Sequence, residues 1–368
     1  MDDPSMAAGR LAIDLDALVA NWRDMAQRAG SAETAGVVKG DAYGMGIEPV
    51  VAALSAAGCS TFFVALPAEG VRVRAVAPSA AVYVLAGLVG DAGAYVASGL
   101  RPVLNSADDI AAWQAARANG APAGAALHVD TGMNRLGLRP DELGAMAAGP
   151  DLAASLGLTL VMSHLACADT PGHPLNRRQL ETFRAVSRHF PGLPASLANS
   201  AGVFLGPDYG FDLVRPGIAV YGGRPVSEGA NPMRPVATLE GLVLQVRTVP
   251  AGEAVGYGAA ETVARETRVA VVGVGYADGY HRRAGATDAR PGASGVLHGR
   301  RVPLVGRVSM DLMAFDVTDV PEAAHGDWIE LFGSHVAVDD VAAYAETIGY
   351  ELLTGLGRRY ARTYSGGA

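Results

Sequence analysis

The residues that could do chemistry begin with a lysine at the end of an apolar run. Residues 37–46 read VVKGDAYGMG, in which two valines lead into Lys39 and a glycine-rich turn carries Tyr43. This order predicts an amine at the end of a β-strand, with a hydroxyl nearby on a loop. A lysine held in this way can form a Schiff base with a carbonyl compound, while the turn binds an anionic group beside it. The alternative is a strand that ends in an exposed, solvated lysine, which is the common state of lysine side chains.

The elements that must position this lysine alternate regularly up to about residue 225. Segments of helical length and periodicity, such as 14–29, 46–57, 106–119 and 175–190, separate short apolar runs. Such apolar strands alternating with helices predict a parallel sheet covered on its faces, and eight units fit a (β/α)8 TIM barrel. The strand candidates are 35–39, 61–66, 81–87, 101–105, 125–130, 158–164, 195–199 and 211–217.

Polar side chains follow several of these strands. A barrel of this type carries its chemistry at the carboxyl ends of its strands. A lysine, two arginines and a histidine converging there predict a site for an anionic ligand. The polar residues at or just past strand ends are Lys39, Arg135, His164, Asn199, Ser200 and Arg215.

After about residue 226 the pattern changes to strands separated by glycine and proline turns. The strand candidates are 234–249, 267–276, 300–317 and 327–333, with one helix at about 338–348. Residues 282–298, rich in glycine, alanine and arginine, are expected to form a mobile loop. We therefore expect a barrel domain over residues 10–228 and a mostly β domain over residues 229–368.

Composition excludes several classes of function. The chain has 368 residues, 50% of them hydrophobic and 18% charged, and a net charge of −8. Without a basic stretch, nucleic acid and anionic membrane surfaces are not expected partners, and no apolar run reaches the roughly 18 residues of a membrane span. The first ten residues do not resemble a secretory signal, and Cys59 and Cys167 suggest neither a disulfide framework nor a zinc site. We expect a cytoplasmic protein without a metal site.

Several motifs in the same order resemble those of the alanine racemase family, and the likeness covers nearly the whole chain. The family combines a barrel with a β domain and uses pyridoxal phosphate. VVKGDAYGMG resembles its cofactor-lysine motif, with glycine and aspartate where alanine and asparagine are more usual. The other motifs are HVDTGMNRLGL (128–138), NSAG (199–202), RPGIAVYG (215–222), VGYGA (255–259), GYADG (275–279), GRVSMD (306–311) and IGYE (348–351).

The resemblance implies two catalytic bases. Lys39 would bind the cofactor covalently, and its amine, once released, would serve as one base, with Tyr257 as the other. A racemase must remove the Cα proton from one face of its substrate and return a proton to the other face. Both groups have ordinary pKa values near 10, and a cationic neighbourhood favours the deprotonated form of each.

The resemblance also assigns residues that bind the substrate and line the site. Arg135 would bind the substrate carboxylate or steer the Tyr257 phenol, and Met310 would add a backbone contact. Tyr276 would line the entrance and Asp311 would support the wall of the site. Each of these would otherwise be an ordinary surface or packing residue.

Further residues are implied to hold the cofactor. Arg215 would face the pyridine nitrogen. As a pure donor it disfavours the protonated ring, which weakens the electron sink and suppresses side reactions such as transamination. His164 would link Arg215 to Tyr257. The phosphate would lie among the hydroxyls of Tyr43, Ser200 and Tyr350 and the amides of Gly217 and Ile218; Asn199 completes the expected cofactor-binding set.

The chain departs from the family pattern at one position near the substrate arginine. Many members carry a lysine, often carbamylated, where this chain has His128, which cannot hold a stable carbamate. We expect His128 or a bound anion such as chloride to orient Arg135 instead. Ser309 replaces a common cysteine and Met45 a frequent histidine, and residues 284–295 resemble an insertion that could alter the entrance.

Family resemblance implies a homodimer in which Tyr257, Tyr276 and Met310 reach the partner's cofactor. Alternatives remain at this stage. The chain could be a racemase of broader preference, for example for serine or a basic amino acid, or a decarboxylase of the same architecture. Decarboxylases of this kind usually run longer and lack the arginine at the ring nitrogen. A cofactor-carrier protein would have the barrel alone.

Overall fold

The protein, described as a computed structural model, divides into two compact units. The structure describes residues 6–122, 124–146 and 149–367. A barrel unit comprises Leu18–Val220 and Arg224–Met233, and a β-rich unit comprises residues 6–17, Tyr221–Gly223 and Arg234–Gly366.

Strand β1 (Gly9–Asp14) belongs to the β-rich unit, and the next nine strands build the barrel. Strands β3 to β9 pair in chain order, and every pair is parallel. The barrel strands are β2 (Glu33–Thr34), β3 (Gly36–Val37), β4 (Thr61–Val64), β5 (Ala81–Val84), β6 (Arg101–Leu104), β7 (Ala125–His128), β8 (Leu158–Met162), β9 (Ala195–Ser196) and β10 (Leu213–Val214).

The last strand closes the ring. Strand β10 pairs in parallel with β2, and the Ala35 amide between β2 and β3 donates to the Val214 carbonyl over 3.0 Å. On the other side, a parallel bridge joins Asn199, just past β9, to Arg215. With β2 and β3 counted as one interrupted strand, this is the predicted (β/α)8 barrel, which is confirmed. Strands β4 and β7 are buried along their whole length, which explains their near-continuous apolar sequences.

Helices follow the strands, as expected for βα units. The first element after β3, α2 (Lys39–Tyr43), has left-handed rather than helical backbone angles at residues 40–42. The others up to residue 204 are α1 (Leu15–Ala29), α3 (Ile47–Ala56), α4 (Pro67–Val76), α5 (Ala92–Ala97), α6 (Ala107–Ala118), α7 (Pro140–Ala145), α8 (Pro150–Leu156), α9 (Pro174–Ser187) and α10 (Ser200–Phe204). Among the described helices, none combines the length and the apolarity required to cross a bilayer.

The β-rich unit is one branched, largely antiparallel sheet. Its path runs β14-β13-β16-β11-β1-β17, and β12 pairs with both β11 and β15. Among the strand pairs that the structure describes in this unit, only β1–β17 is parallel. Its further strands and α-helices are β11 (Ala237–Val249), β12 (Thr267–Val272), β13 (Ser294–Leu297), β14 (Arg300–Pro303), β15 (Met313–Asp316), β16 (Trp328–Phe332), α11 (Val338–Tyr344), α12 (Gly349–Thr354) and β17 (Ala361–Ser365). A separate, mostly β C-terminal region is thus confirmed.

The structure corrects four details of the sequence prediction. Residues 10–17 lie in the β-rich unit, because β1 pairs with β11 and β17. The expected loop 282–298 contains β13, which pairs with β14 and β16. The strand segment expected over 300–317 forms strand only at its two ends, as β14 and β15. The helix expected over 338–348 ends at Tyr344, and Glu346 has a left-handed φ of 55° before α12 begins.

Gly279, in the GYADG motif, permits a close backbone contact that no other residue allows. Its φ is +94°, and a Cβ built there would lie 2.1 Å from the Gly355 carbonyl oxygen. We expect Gly279→Ala to lower the free energy of unfolding by about 2–4 kcal/mol, from backbone strain and from the collision. Urea unfolding of the purified protein measures this.

A matched control separates the two causes. Gly252 also has a positive φ, +84°, but a Cβ there meets nothing within 4 Å. Gly252→Ala should therefore show only the strain, about 1 kcal/mol. Equal losses in the two variants would contradict the close-contact explanation.

Candidate active site

Lys39 stands where β3 gives way to a left-handed turn. The amide of the preceding Val38 still donates to the Phe63 carbonyl of β4 over 2.9 Å, so the main chain is fixed by the sheet up to this point. The Lys39 side chain is half-buried, and its amine makes no hydrogen bond or ion pair with a described residue. A lysine amine that is partly shielded from water and has no hydrogen-bond or ion-pair partner is available to react with a ligand.

The surroundings of Lys39 favour its neutral amine. Burial lowers the pKa of Lys39, and the positive charges of Arg135 and Arg215 lower it further, whereas the charge of Glu69 raises it. A neutral amine is the form that attacks a carbonyl carbon and that accepts a proton.

Arg215 follows β10 and is almost fully buried without a carboxylate partner. Its guanidinium donates to Ser196 Oγ and to the Ser163 carbonyl, and Nη2 lies 3.4 Å from His164 Nδ1. Burial lowers the pKa of Arg215 to about 9, so it keeps its proton at neutral pH. Its Nε–H has no hydrogen-bond partner among the described residues. A buried cation with an unpaired Nε–H suits an aromatic ring nitrogen that accepts a hydrogen bond.

His164 lies beside Arg215 as a neutral imidazole. Burial lowers the pKa of His164 well below its ordinary value, and the charges of Arg215, Lys39 and Arg135 act in the same direction. With Nδ1 unprotonated, the ring accepts a hydrogen bond from the Arg215 guanidinium. The side chain therefore adds no further positive charge to the site.

Two hydroxyls and a glycine form a cradle suited to a phosphate. Ser200 Oγ accepts the amides of Gly217 and Ala219 over 2.8 and 3.2 Å, which leaves its proton free to donate. A Cβ at Gly217 would lie 2.2 Å from the Tyr43 hydroxyl, so the absence of a side chain lets the two hydroxyls approach the same point. Tyr43, Ser200 and Ile218 are all buried. Hydroxyl donors beside backbone amides are a usual anion-binding arrangement.

Two members of the expected cofactor-binding set have local partners in this structure. The Gly217 amide donates to Ser200 rather than being free for a ligand. Asn199 caps α10, because its side-chain oxygen accepts the Gly202 amide over 2.9 Å. Both residues help to shape the cradle, and direct contact of either with a cofactor stays a prediction.

Arg135 is presented by a loop that a carboxylate organises. Asp130 accepts the amides of Gly132, Met133 and Asn134 over 2.8–2.9 Å, and the loop leaves Arg135 exposed. Arg135 forms no ion pair with a described residue. Sequence reasoning missed Asp130, although an aspartate before a threonine and a glycine is a recognisable turn signal.

His128 does not supply the negative charge that a carbamylated lysine would bring. Its Nδ1 lies 2.7 Å from the Asn105 side-chain oxygen, and the ring is buried. Burial lowers the pKa of His128 to about 4, and the charge of Arg215 adds to the effect. The imidazole is therefore neutral at physiological pH. That a bound anion such as chloride orients Arg135 stays a prediction.

The remaining predicted residues lie in the β-rich unit, and several are exposed. Tyr257, between Gly256 and Gly258 with their positive φ values, is 73% exposed, and its hydroxyl has no described partner. Tyr276 and Met310 are 41% and 54% exposed and are neighbours, since the Tyr276 and Ala277 amides donate to the Ser309 and Met310 carbonyls.

Asp311 and Tyr350 lie elsewhere in the same unit. Asp311 accepts a hydrogen bond from Arg359 over 2.8 Å, and Arg359 also pairs with Asp278. Tyr350 lies in the first turn of α12 and is 39% exposed. The ion pair supports the predicted role of Asp311 in holding a wall of the site; the role of Tyr350 stays a prediction.

Comparisons with known proteins identify the family. Residues 13–225 match the model of the alanine racemase N-terminal domain, and residues 236–364 match that of the alanine racemase C-terminal domain. The chain belongs to the alanine racemase family. This confirms the predicted family and enzyme class, an amino-acid racemase.

Relatives and solved structures agree along the full length of the chain. An alanine racemase of Rhizobium meliloti is 54% identical, covering 98% of each chain, and a biosynthetic alanine racemase of Agrobacterium fabrum is 52% identical, covering 96% of this chain and 93% of its own. The crystal structure of alanine racemase from Bartonella henselae with covalently bound pyridoxal phosphate superposes with a TM-score of 0.90 at 38% identity, covering 98% of this chain and all of that one. The predicted cofactor is the one that this family uses, and the unpaired Lys39, the free Arg215 donor and the hydroxyl cradle fit it.

The neutral state of His128 makes stability depend on pH. Below its ordinary pKa of 6.5, the unfolded chain binds a proton that the folded imidazole does not take up until about pH 4. Stability is therefore lost as pH falls through this interval. Between about pH 7.5 and 5, the free energy of unfolding of the wild-type protein should fall by about 2 kcal/mol more than that of His128→Gln, as measured by urea unfolding.

The same comparison contains its own control. Between about pH 7.5 and 9 the imidazole is neutral in both states, so the substitution should leave the pH dependence unchanged there. A variant that loses as much stability as the wild-type protein between pH 7.5 and 5 would show that His128 is not the group responsible.

Proposed function

We propose that this protein interconverts L-alanine and D-alanine with pyridoxal phosphate as cofactor, using Lys39 and Tyr257 as its two bases. The observation that carries the proposal is the state of Lys39. It is shielded, unpaired and biased towards its neutral form beside a buried arginine that still has a donor to offer. Membership of the alanine racemase family supports the choice of reaction.

The residues of the barrel unit would divide the work of binding the cofactor. Pyridoxal phosphate, when bound, supplies the electron sink that makes the Cα proton of an amino acid acidic. Lys39 would bind it covalently, Arg215 would donate its Nε–H to the ring nitrogen, and Tyr43 and Ser200 would donate their hydroxyls to the phosphate. Because the Arg215 guanidinium only donates hydrogen bonds, it would favour an unprotonated ring nitrogen and so limit side reactions.

Proton transfer at Cα would use one base on each face of the substrate. The Lys39 amine removes the proton from one face, and the Tyr257 phenol returns a proton to the other, with the roles exchanged in the reverse direction. The exposed, unpaired hydroxyl of Tyr257 is free to approach a substrate. Arg135 would bind the substrate carboxylate, and the same positive charges that lower the pKa of Lys39 favour an anionic ligand.

Two alternative activities differ from this proposal in chemistry. A racemase with a broader preference, for example for serine, would use the same bases with a wider entrance. A decarboxylase would gain from a protonated, strongly electron-withdrawing ring, and the buried Arg215 disfavours that state. Arg215 therefore favours racemisation over decarboxylation.

We also propose a homodimer in which the β-rich unit of one subunit completes the site of the other. The exposed Tyr257, Tyr276, Met310 and Leu312 support this, because clustered large apolar side chains usually mark an interface. We place the protein in the cytoplasm, which suits its two free thiols. Supply of D-alanine is the proposed role, in line with the biosynthetic Agrobacterium relative.

The reaction can be tested by incubating the holoenzyme with L-alanine in deuterated water. We expect D-alanine to appear with deuterium at Cα, without release of carbon dioxide. Tyr257→Phe removes one base and should lower turnover roughly 10²–10⁴-fold, which corresponds to about 3–5 kcal/mol of activation free energy. Chiral chromatography with mass spectrometry measures both quantities.

A surface tyrosine provides the control for this substitution. Tyr344 is 40% exposed at the end of α11 and has no assigned role in the site, so Tyr344→Phe should leave turnover unchanged. Recovery of L-alanine with no deuterium would refute racemisation, and carbon dioxide release would indicate the decarboxylase.

Mixing inactive variants tests the composite site. If Lys39 and Tyr257 act across subunits, Lys39→Ala and Tyr257→Ala proteins should regain activity on exchange of subunits, up to about a quarter of the wild-type value, since half of the dimers then hold one intact site. If both bases came from one chain, every site in the mixture would lack one base and no activity would return.

A further inference from the structure

The turn that follows Lys39 has a backbone that L-amino acids avoid. Residues 40–44 all have positive φ values: 64° at Gly40, 53° at each of the next three residues, and 82° at Gly44. Glycine adopts such angles freely, but Asp41, Ala42 and Tyr43 do so at a cost, because the Cβ of each approaches the following carbonyl. A run of this kind persists only where other contacts hold it.

One carboxylate supplies the main contact. Glu69 Oε1 accepts the amides of Gly40 and Asp41 over 2.7 and 3.2 Å. The other oxygen, Oε2, accepts the amides of Ala65 and Leu66 over 2.9 and 3.2 Å. Each oxygen thus accepts two backbone N–H groups, which an ionised carboxylate can do and a primary amide cannot.

The two pairs of amides belong to different parts of the barrel. Gly40 and Asp41 follow β3, whereas Ala65 and Leu66 link the neighbouring strand β4 to α4. Glu69, in the first turn of α4, therefore ties the left-handed turn to the adjacent βα unit. Arg72, one turn further along α4, pairs with the Asp41 carboxylate over 2.8 Å.

These bonds bracket the reactive lysine. On one side of Lys39, the Val38 amide donates to the Phe63 carbonyl over 2.9 Å, and on the other side the Gly40 amide donates to Glu69 over 2.7 Å. The backbone of Lys39 consequently has little freedom. At the far end of the turn, the Tyr43 hydroxyl meets Gly217 in the phosphate cradle.

We propose that Glu69 is a positioning residue for the reaction: it holds the left-handed turn and thereby fixes the Lys39 amine and the Tyr43 hydroxyl in their working places. The inference rests on the proposed role of Lys39 as cofactor lysine and base. Glu69 itself touches neither substrate nor cofactor, and it acts through the backbone of the turn.

A simple helix-capping role would not require this arrangement, and the chain contains a helix that shows the difference. Helix α7 also begins with a proline and carries a glutamate two residues later, and Glu142 accepts the Arg139 amide over 2.8 Å. No hydrogen bond joins Glu142 to a distant described segment. Glu142→Gln keeps an oxygen for its one amide, whereas Glu69→Gln keeps one oxygen for four amides and turns an NH2 donor towards one pair of them. Only the Glu69 substitution therefore weakens the link between the turn and the adjacent βα unit.

Hydrogen–deuterium exchange with mass spectrometry tests the proposal on the full chain, both as holoenzyme and after removal of the cofactor. In Glu69→Gln we expect peptides covering residues 40–47 to exchange about 10–100-fold faster, the range expected for losing one charge-assisted link. In Glu142→Gln the same peptides should exchange as in the wild-type protein. Equal exchange in Glu69→Gln and wild type would overturn the proposal.

Relief of backbone strain provides a second test. Ala42→Gly removes the penalty at one left-handed residue, so in the Glu69→Gln background it should slow exchange of residues 40–47 about 3- to 10-fold. If Glu69→Gln does not fold, Ala42→Gly should restore a folded protein. If Ala42→Gly changed neither the exchange rate nor the folding of the Glu69→Gln protein, Glu69 would not act on the strained turn.

Kinetics distinguish positioning from general destabilisation. Glu69→Gln should lower kcat about 10–100-fold while KM for alanine changes less than about threefold, because the amine is misplaced and the carboxylate-binding arginine is not. A loss confined to thermal stability, with kcat unchanged, would overturn the proposal. If Lys39→Ala still racemised alanine, the proposed function would fail even where the exchange result held.

Discussion

Unbalanced positive charge at the carboxyl ends of the barrel strands is the condition on which the rest of the site depends. Arg215 is buried without a carboxylate, and Arg135 has no ion pair with a described residue. Burial lowers the pKa of Lys39, and the charges of these two arginines lower it further. A carboxylate placed beside these arginines would offset their charge and raise the pKa of Lys39. The histidines nearby add no charge, since burial lowers the pKa of both His128 and His164.

Burying a guanidinium requires that its donors be satisfied, and this explains the polar residues on the neighbouring strands. Ser196 and the Ser163 carbonyl accept from Arg215, and Ser196 in turn donates to the Leu213 carbonyl over 2.6 Å. Its Nε–H has no partner among the described residues, which suits the proposed contact of Arg215 with a ring nitrogen. A lysine at this position would offer neither the planar fork of donors nor the permanence of the charge.

The same region stores backbone strain, and the two features are related. The left-handed turn after Lys39 directs Tyr43 towards Gly217 and returns the chain to α3 within a few residues. Its amides are held by Glu69, whose charge raises the pKa of Lys39 and so opposes the arginines in part. Burial of the Lys39 amine, the two arginines and the Glu69 carboxylate together determine how readily the amine loses its proton.

Much of this protein follows from its sequence. Apolar runs of strand length alternating with helical segments predict the barrel, because a parallel sheet covered on both faces needs such strands. The motifs around Lys39, Arg215 and Tyr257 predict a racemase, because few combinations of residues serve a Schiff base, a ring nitrogen and a second base. Strand β1 was missed even though Leu11 and Ile13 alternate with exposed residues, since its partners β11 and β17 lie far along the chain.

Tertiary structure alone decided which residues support those side chains. Glu69 binds the Gly40 amide 29 residues away, and Asn105 meets His128 across 23 residues, because pairing of β3 with β4 and of β6 with β7 brings the ends of these strands together. Neither pairing has a local sequence signal. A glutamate near the start of a helix predicts a helix cap, and Glu142 is an example that makes only this local contact among the described residues. Sequence by itself therefore determined the family and the barrel and predicted the reactive groups, while the pKa of Lys39 and the conformation of its turn depend on contacts that exist only in the folded chain.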